Sequence, residues 1–309
     1  MASDDSPRAG ATQLGALTIG WRALRAYSFT ATIIPVVCAS LTAARIGGTA
    51  ISINMCAWML VSALLLHAGT NLLNDYYDYT LGFDSAAAVG SSGLLVAKIV
   101  APAYFWRWGM GYLAAGAVVG LALAATLHNP WLVVLGAFGW LGAFFYSHNH
   151  GYKYKGWGEP LVFLMMGPIL FCSAYLVASG RCDLRALWVS LPFGCWVASV
   201  LLVNNLRDLD MDGGAGFRTL PARIGSGAAK GLFAVLVTSA FALPGLYVYI
   251  GWLPRAVLLT GGALIPAAAL VRRVCKAQPP YESLAKAPEM TAALYLLYGV
   301  LFALGLALG

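Results

Sequence analysis

Apolar residues in this chain do not alternate with polar ones. They gather in long runs separated by short polar breaks. The runs cover approximately residues 28–44, 51–73, 104–127, 131–147, 161–179, 187–206, 231–251, 255–270 and 291–308. At roughly 17–24 residues and 1.5 Å per residue, each is long enough to be read as crossing a hydrocarbon core of ~30 Å. The pattern therefore predicts nine transmembrane helices. Pro102, Pro130, Pro160 and Pro254 stand near span starts, where the missing N–H costs nothing. Pro35, Pro168, Pro192, Pro244 and Pro266 fall inside or near the ends of spans and predict kinks, which a bundle built around a cavity can absorb.

Composition agrees. The chain is 60% hydrophobic and only 10% charged, with a mean hydropathy of +0.76, where a soluble domain carries roughly 25% charged residues. This predicts an all-α polytopic membrane protein. A short disordered tail over residues 1–20 precedes one membrane domain over 21–309, leaving no room for a separate soluble domain. The tail lacks the basic-then-apolar order of a signal peptide. The six cysteines lie in or beside apolar runs without a Cys-x-x-Cys pair, and read as small buried hydrophobes rather than a disulfide or zinc framework.

Charge sets the orientation. With nine spans, fifteen of the 19 lysines and arginines fall on the side that holds the N-terminus, and only Arg45, Arg181, Arg185 and Arg255 on the other. The positive-inside rule then puts the N-terminus and its loops in the cytoplasm, in a cytoplasmic (inner) membrane. The same side collects Asp75, Asp78, Asp84, Glu159, Asp208, Asp210 and Asp212, while the opposite side keeps Asp183.

Those acids are ordered. After the second run comes Asn71-Leu-Leu-Asn-Asp-Tyr-Tyr-Asp-Tyr-Thr-Leu-Gly-Phe-Asp84. Read as continuing helix, Asn71, Asp75 and Asp78 share a face at i, i+4 and i+7, and Gly82 turns the chain toward Asp84. After the sixth run, Asn204, Asp208 and Asp212 repeat the pattern at i, i+4 and i+8, with Asp210 off that face. An aspartate at membrane depth costs ~2.5–3.5 kcal/mol, and several together repel one another, so they call for cations. Mg²⁺, a hard oxygen-seeking ion, takes one or two carboxylates and completes its shell with water and phosphate oxygens. A diphosphate bridging the two clusters would complete both shells, with Arg207, Arg218, Arg223, Lys98, Lys153 and Lys155 neutralising the rest. If the diphosphate ester is allylic, Tyr76, Tyr77, Phe144, Phe145, Tyr146 and Trp157 are candidates to shield the resulting cation. His67 reads as a packing histidine, and His148 and His150 as loop residues without a specific task.

Asn74-Asp75-x-x-Asp78-x5-Asp84 with Asp208-x3-Asp212 resembles the UbiA superfamily of intramembrane prenyltransferases, over nearly the whole chain. Three passages are most similar to the branch that prenylates 1,4-dihydroxy-2-naphthoate in menaquinone biosynthesis: residues 74–84, residues 152–159 and residues 204–225, the last containing Arg-Thr-Leu-Pro-Ala-Arg-Ile-Gly225. Gly90-Ser-Ser-Gly-Leu-Leu95 resembles a further glycine-serine passage of that branch. The resemblance implies Mg²⁺-dependent transfer of a polyprenyl group from an allylic polyprenyl diphosphate to an aromatic acceptor with loss of CO₂. It implies catalytic roles for Asn74, Asp75, Asp78, Asp208 and Asp212, and metal ligation by Asp75, Asp78, Asp84, Asp208 and Asp212. Asn71, Lys98, Tyr146, Lys153, Lys155, Glu159, Asn204, Arg207, Arg218 and Arg223 are the candidate substrate contacts. Two departures remove positive charge. Residues 85–89 are Ser-Ala-Ala-Ala-Val where the branch often carries an arginine, and Phe217 stands where it usually has lysine. Expected partners are the polyprenyl diphosphate, the acceptor and membrane lipid, with no nucleic acid and no obligate protein partner. Prenyl transfer to another aromatic or lipid acceptor is the nearest alternative. A cation-coupled transporter would also carry intramembrane acids, but nearer mid-span. The CDP-alcohol phosphotransferase pattern needs Asp-Gly-x-x-Ala-Arg, which Asp212-Gly-Gly-Ala-Gly-Phe does not supply.

Overall fold

A computed structural model describes residues 15–48, 50–84, 91–148, 151–209 and 218–309. Among them the secondary structure is helical, with turns and loops between the helices and no strand. Helix α1 is Ala16–Leu24, and α2 is Ala26–Gly47. Then come α3 (Ile53–Thr80), α4 (Pro102–Thr126), α5 (Pro130–Phe145), α6 (Gly158–Ser179), α7 (Leu184–Arg207), the single turn α8 (Leu220–Ile224), α9 (Ser226–Tyr249), α10 (Arg255–Lys276) and α11 (Glu282–Leu308). Eight of these are long and apolar enough to cross a membrane. Helix α5, the fourth of the expected spans, has 16 residues, or ~24 Å. The protein is thus a multi-pass membrane bundle in which each apolar run of the sequence has become a helix.

Residues 16–20, expected in a disordered tail, instead open α1. Its Ala23 is buried while Leu17 and Trp21, one turn apart, are exposed. That two-faced pattern is what makes so short a segment helical against the bundle. The end of α1 is tied down: Asn71 of α3 donates from Nδ2 to the Leu24 carbonyl at 2.9 Å.

Helix α7 lies at the centre, 72% buried over its most apolar stretch, against 28% for α4 and α9 at the periphery. Around it Trp196, Phe193, Phe171, Tyr298 and Phe302 pack in stacked, tilted and edge-to-face pairs with centroids 5.1–6.3 Å apart, within the range over which aromatic pairs attract. Outward-facing Val118, Leu121, Phe138, Val235 and Ile265 are exposed, as a lipid-facing surface requires. Pro168 sits in a widened turn, Met165–Ile169, that splits α6. Proline withholds an N–H there, and a wide turn is one way a helix accommodates the loss.

Helix packing in lipid gains little from apolar burial and relies on close approach of small residues. Helices α3 and α4 show this. A Cβ on Gly69 would come within 2.8 Å of the Gly109 carbonyl oxygen, and one on Gly116 within 3.1 Å of the Ser62 carbonyl. Ser62 Oγ donates to the Gly116 carbonyl at 2.8 Å. We expect Gly69→Ala to lower stability by about 1–3 kcal/mol, because the Gly109 backbone as well as the Leu113 side chain must move. Gly111→Ala, with open space around it, should be neutral or stabilising, since alanine is about 1 kcal/mol better than glycine in a helix. Thermal unfolding of the two purified variants in detergent distinguishes them. Equal midpoints would mean the contact is not a constraint.

Candidate active site

Helix α3 runs on past its apolar stretch to Thr80, so the first acidic motif is helical. Asn71, Asn74 and Asp78, at i, i+3 and i+7, line a common polar chamber. Asn74 Nδ2 donates to Asp78 Oδ2 at 2.9 Å. The expected face was Asn71, Asp75 and Asp78. Asp75 lies just off it and is 1% exposed. Its Oδ2 accepts the Ser92 N–H at 2.8 Å, and its Oδ1 meets Arg25 Nη1 at 3.5 Å. Gly82, at φ 78°, takes the left-handed conformation that closes the helix. The Phe83 and Asp84 N–H groups then both reach the Asp78 carbonyl, at 2.8 and 3.1 Å. The turn folds Asp84 back into the wall of the same chamber.

The loop between α5 and α6 supplies the countercharge. Lys153 Nζ donates to Asp78 Oδ2 at 2.6 Å and to Asn74 Oδ1 at 2.7 Å. Tyr154 donates its hydroxyl to Asp78 Oδ1 at 2.7 Å, and Ser147 Oγ donates to Asn74 Oδ1 at 2.9 Å. Burial and the Asp78 carboxylate push the Tyr154 phenol up, so it stays a donor. The second motif faces them from α7. Asn204, Asn205 and Asp208 line the polar chamber. Arg207 grips Asp208 with Nε and Nη2, both at 2.6 Å, and donates from Nη2 to Asn204 Oδ1 at 3.0 Å. Behind the chamber Glu159 is buried, its Oε1 accepting from Asn205 Nδ2 at 2.9 Å.

The polar chamber has a volume of about 210 Å³. It adjoins a second of about 660 Å³, whose wall is largely apolar and rich in leucine, valine, alanine, methionine and glycine. Arg25, Asn71, Tyr146 and Asn204 belong to the walls of both. The site is therefore a charged anteroom joined to an apolar chamber.

The donors fit a hard divalent cation. Asp78, Asp84 and Asp208 share one chamber with amide oxygens and no sulfur or imidazole, a set suited to Mg²⁺. The Asp84 carboxyl is pushed up to about 6, chiefly by burial, then by Asp78 and Asp75, with Lys153 opposing. Among the described residues no three His, Cys, Asp or Glu side chains stand together as a closed metal shell. Instead Asp75, Asp78 and Asp208 are each held by a basic side chain.

The other expected residues divide. Tyr146 lines both chambers, and Arg207 lines the apolar one. Glu159 reaches the site through Asn205. Lys98, Lys155, Arg218 and Arg223 are exposed and outside both chambers, where a long cation keeps its hydration. Arg223 donates to the Lys155 carbonyl at 2.7 Å. Of the six aromatics expected around a cation, Tyr146 alone is in the walls. Tyr77 instead hydrogen-bonds His148 Nδ1 at 2.6 Å, and Phe144 stacks on the same ring. His67 is buried against Ser28 and Thr32, and also lines the apolar chamber. Asp210, Asp212, His150, Phe217 and residues 85–89 lie outside the described residues. Arg25, Ser92, Tyr154 and Asn205 were missed. The last three fall inside passages already singled out for their resemblance. Arg25 had its own signal, an arginine at the very start of a transmembrane run.

A family model described as the UbiA prenyltransferase family matches residues 32–294. The UbiA prenyltransferase domain-containing protein 1 of Gallus gallus is 30% identical over 303 residues, spanning 94% of this chain and 87% of that one. The 1,4-dihydroxy-2-naphthoate octaprenyltransferase of Mycobacterium tuberculosis is 35% identical over 182 residues, 59% of this chain and 62% of that one. The fold matches a UbiA homolog from Archaeoglobus fulgidus bound to GPP and Mg²⁺, with a TM-score of 0.65 at 15% identity, covering 92% of this chain and 99% of that one. Spanning nearly every membrane helix, the match shows that this chain belongs to the UbiA prenyltransferase family and is a membrane-embedded prenyltransferase.

Proposed function

We propose that this enzyme transfers a polyprenyl group from an allylic polyprenyl diphosphate to an aromatic acceptor in a Mg²⁺-dependent reaction. The acceptor is 1,4-dihydroxy-2-naphthoate, which would lose its carboxylate as CO₂ and give demethylmenaquinone. The observation that carries this reading is the junction of the two chambers. A diphosphate ester has one end that needs cations and one that needs hydrocarbon, and the site offers both across the Arg25, Asn71, Tyr146 and Asn204 wall. The acceptor reading draws on the naphthoate-specific relatives and on the passages at 74–84, 152–159 and 204–225. The working side is the cytoplasmic face of the inner membrane, by the lysine and arginine distribution.

Asp75, Asp78 and Asp84 from one motif, with Asp208 and Asp212 from the other, would hold the Mg²⁺. Bound there, Mg²⁺ would offset the diphosphate charge and make it a better leaving group. The chain's own bases do the rest. Lys153, Arg25 and Arg207, now occupied by carboxylates, would turn to phosphate oxygens once the carboxylates hold metal. Arg25 stands where the diphosphate would meet the tail, so its charge lies beside the bond that breaks. Tyr146 lines the same junction, and its ring would shield the allylic cation from water. The apolar wall beyond it excludes water from the tail.

Purified protein in liposomes, given Mg²⁺, a radiolabelled allylic diphosphate and either 1,4-dihydroxy-2-naphthoate, 4-hydroxybenzoate or homogentisate, tests the proposal. Product from the naphthoate alone is expected. Product from another acceptor only would move the enzyme to a different branch of the family. Asp75→Asn and Asp208→Asn should each cut turnover by at least ~10²–10³-fold, as loss of a main electrostatic stabiliser does, while the protein still inserts; each also lowers the melting point by stranding Arg25 or Arg207. Near-normal turnover in either would sink the metal assignment. Lys153→Met removes one charged donor worth about 1.5–3 kcal/mol. It should raise the diphosphate KM by roughly 10- to 150-fold, while the acceptor KM stays put.

A further inference from the structure

Asn71 and Asn204, which open the two acidic motifs, both stand in the wall between the chambers. Their surroundings turn them opposite ways. Arg207 carries only donors, so the atom of Asn204 that meets its Nη2 at 3.0 Å is the oxygen. Asn204 therefore keeps its N–H groups for the cavity. Asn71 is held by its nitrogen instead. Its Nδ2 donates to the Leu24 carbonyl at 2.9 Å and to Ser28 Oγ at 3.1 Å.

A chain of partners fixes that orientation. A carbonyl can only accept, so Leu24 requires an N–H from Asn71. Ser28 spends its own proton on the Arg25 carbonyl, at 2.8 Å. Its oxygen is then left to accept, from Asn71 on one side and from His67 Nε2, 3.2 Å away, on the other. A neutral His67 thus carries its proton on Nε2. Its Nδ1 is the acceptor, and Thr32 Oγ1 donates to it at 2.7 Å. Every donor in the set meets an acceptor. Exchanging the oxygen and nitrogen of Asn71 would set two acceptors against each other at Leu24.

The consequence is a bare carbonyl. Among the described residues Asn71 Oδ1 has no hydrogen bond, and it is not one of the side-chain atoms sealed off from solvent. It belongs to the junction, whereas Asp78, Asp84 and Asp208 line the polar chamber alone. Phosphate oxygens are acceptors too, so this oxygen does not suit them. It suits a group that brings a proton. At the junction, where the allylic carbon of a bound donor meets the ring that attacks it, that group is a hydroxyl on the ring. Resting on the acceptor reading above, we infer that Asn71 Oδ1 accepts a hydrogen bond from a ring hydroxyl of the aromatic acceptor and selects acceptors that carry it. His67 and Ser28 are positioning residues that act through Asn71. The hydroxyl keeps its proton throughout, and its hydrogen bond to the carbonyl leaves the ring richer in electrons for its attack. An acceptor without that hydroxyl strands the carbonyl, the kind of mismatch that a polar site rejects most strongly.

Equilibrium binding tests this without turnover. Full-length protein in detergent, with Mg²⁺ and inorganic pyrophosphate in place of the donor, is titrated with 1,4-dihydroxy-2-naphthoate. It is titrated in parallel with 1-hydroxy-2-naphthoate and 4-hydroxy-2-naphthoate, each lacking one hydroxyl. One of these two should bind the wild type at least tenfold more weakly than the dihydroxy acid. Asn71→Leu should weaken the dihydroxy acid to the level of that analogue and leave the analogue itself within about twofold. Its pyrophosphate affinity should also stay within about twofold, which certifies the fold. His67→Phe keeps a ring beside Phe29 but no nitrogens. It should narrow the difference between the acids in the wild-type background and cost nothing further in the Asn71→Leu background. Equal affinity of all three acids for the wild type, a difference that survives Asn71→Leu, or a loss of pyrophosphate affinity in place of acceptor affinity would overturn the inference and leave the acceptor reading intact. Failure of all three acids to bind the wild type would overturn the acceptor reading, and this inference with it.

Discussion

Negative charge at the end of an apolar helix is the constraint around which the bundle is arranged. Asp75, Asp78 and Asp208 terminate or follow two long apolar runs, and none is left to water alone. Each is met by a basic side chain from elsewhere in the chain or from the next residue. Breaking such a pair from one side leaves a stranded charge, which is why buried pairs bind their elements together even when they add little net stability. The Arg25 contact fastens the first membrane helix to α3, and the Lys153 contact fastens the loop before α6 to the same place. The chain's ordering of helices around α7 leaves these loops on one side of the bundle. The same countercharges that make the resting state tolerable are the ones a diphosphate would require.

Much of this was legible in the sequence because it rests on local pattern. Run length specified the helices, and the helical spacing of the first acidic motif carried α3 on past its apolar run to Thr80. The spacing of Asn71 to Asp84 placed its residues within a turn or two of one another. Gly82 was readable as the residue that bends the chain back, and it does so through two amides on the Asp78 carbonyl. The error over Asp75 came from the same reasoning. An i, i+4, i+7 stripe is broad, and its middle member turned toward Arg25 while Asn74 took its place in the chamber wall.

What could not be read depended on residues distant in sequence. Nothing local distinguishes Lys153, which enters the chamber, from Lys155, which does not. The two differ by their side of a short helical turn, Tyr152–Lys155, whose placement is decided by Asp78 and Asn74 more than 70 residues away. Arg25 looked like one more cytoplasmic anchor until α3 was beside it. The division of the cavity into a charged and an apolar part likewise follows from which faces of α3, α5, α6 and α7 converge, and a linear reading carries no information on that.

Asn71 donates to the Leu24 carbonyl, and Arg25 follows immediately with its guanidinium on Asp75. The short helix at the start of the described chain is thus coupled mechanically to the carboxylates through two anchor points on adjacent residues. Pulling on it would shift an amide and an arginine of the chamber wall together. A probe placed within α1 itself would report on the site rather than on the membrane surface.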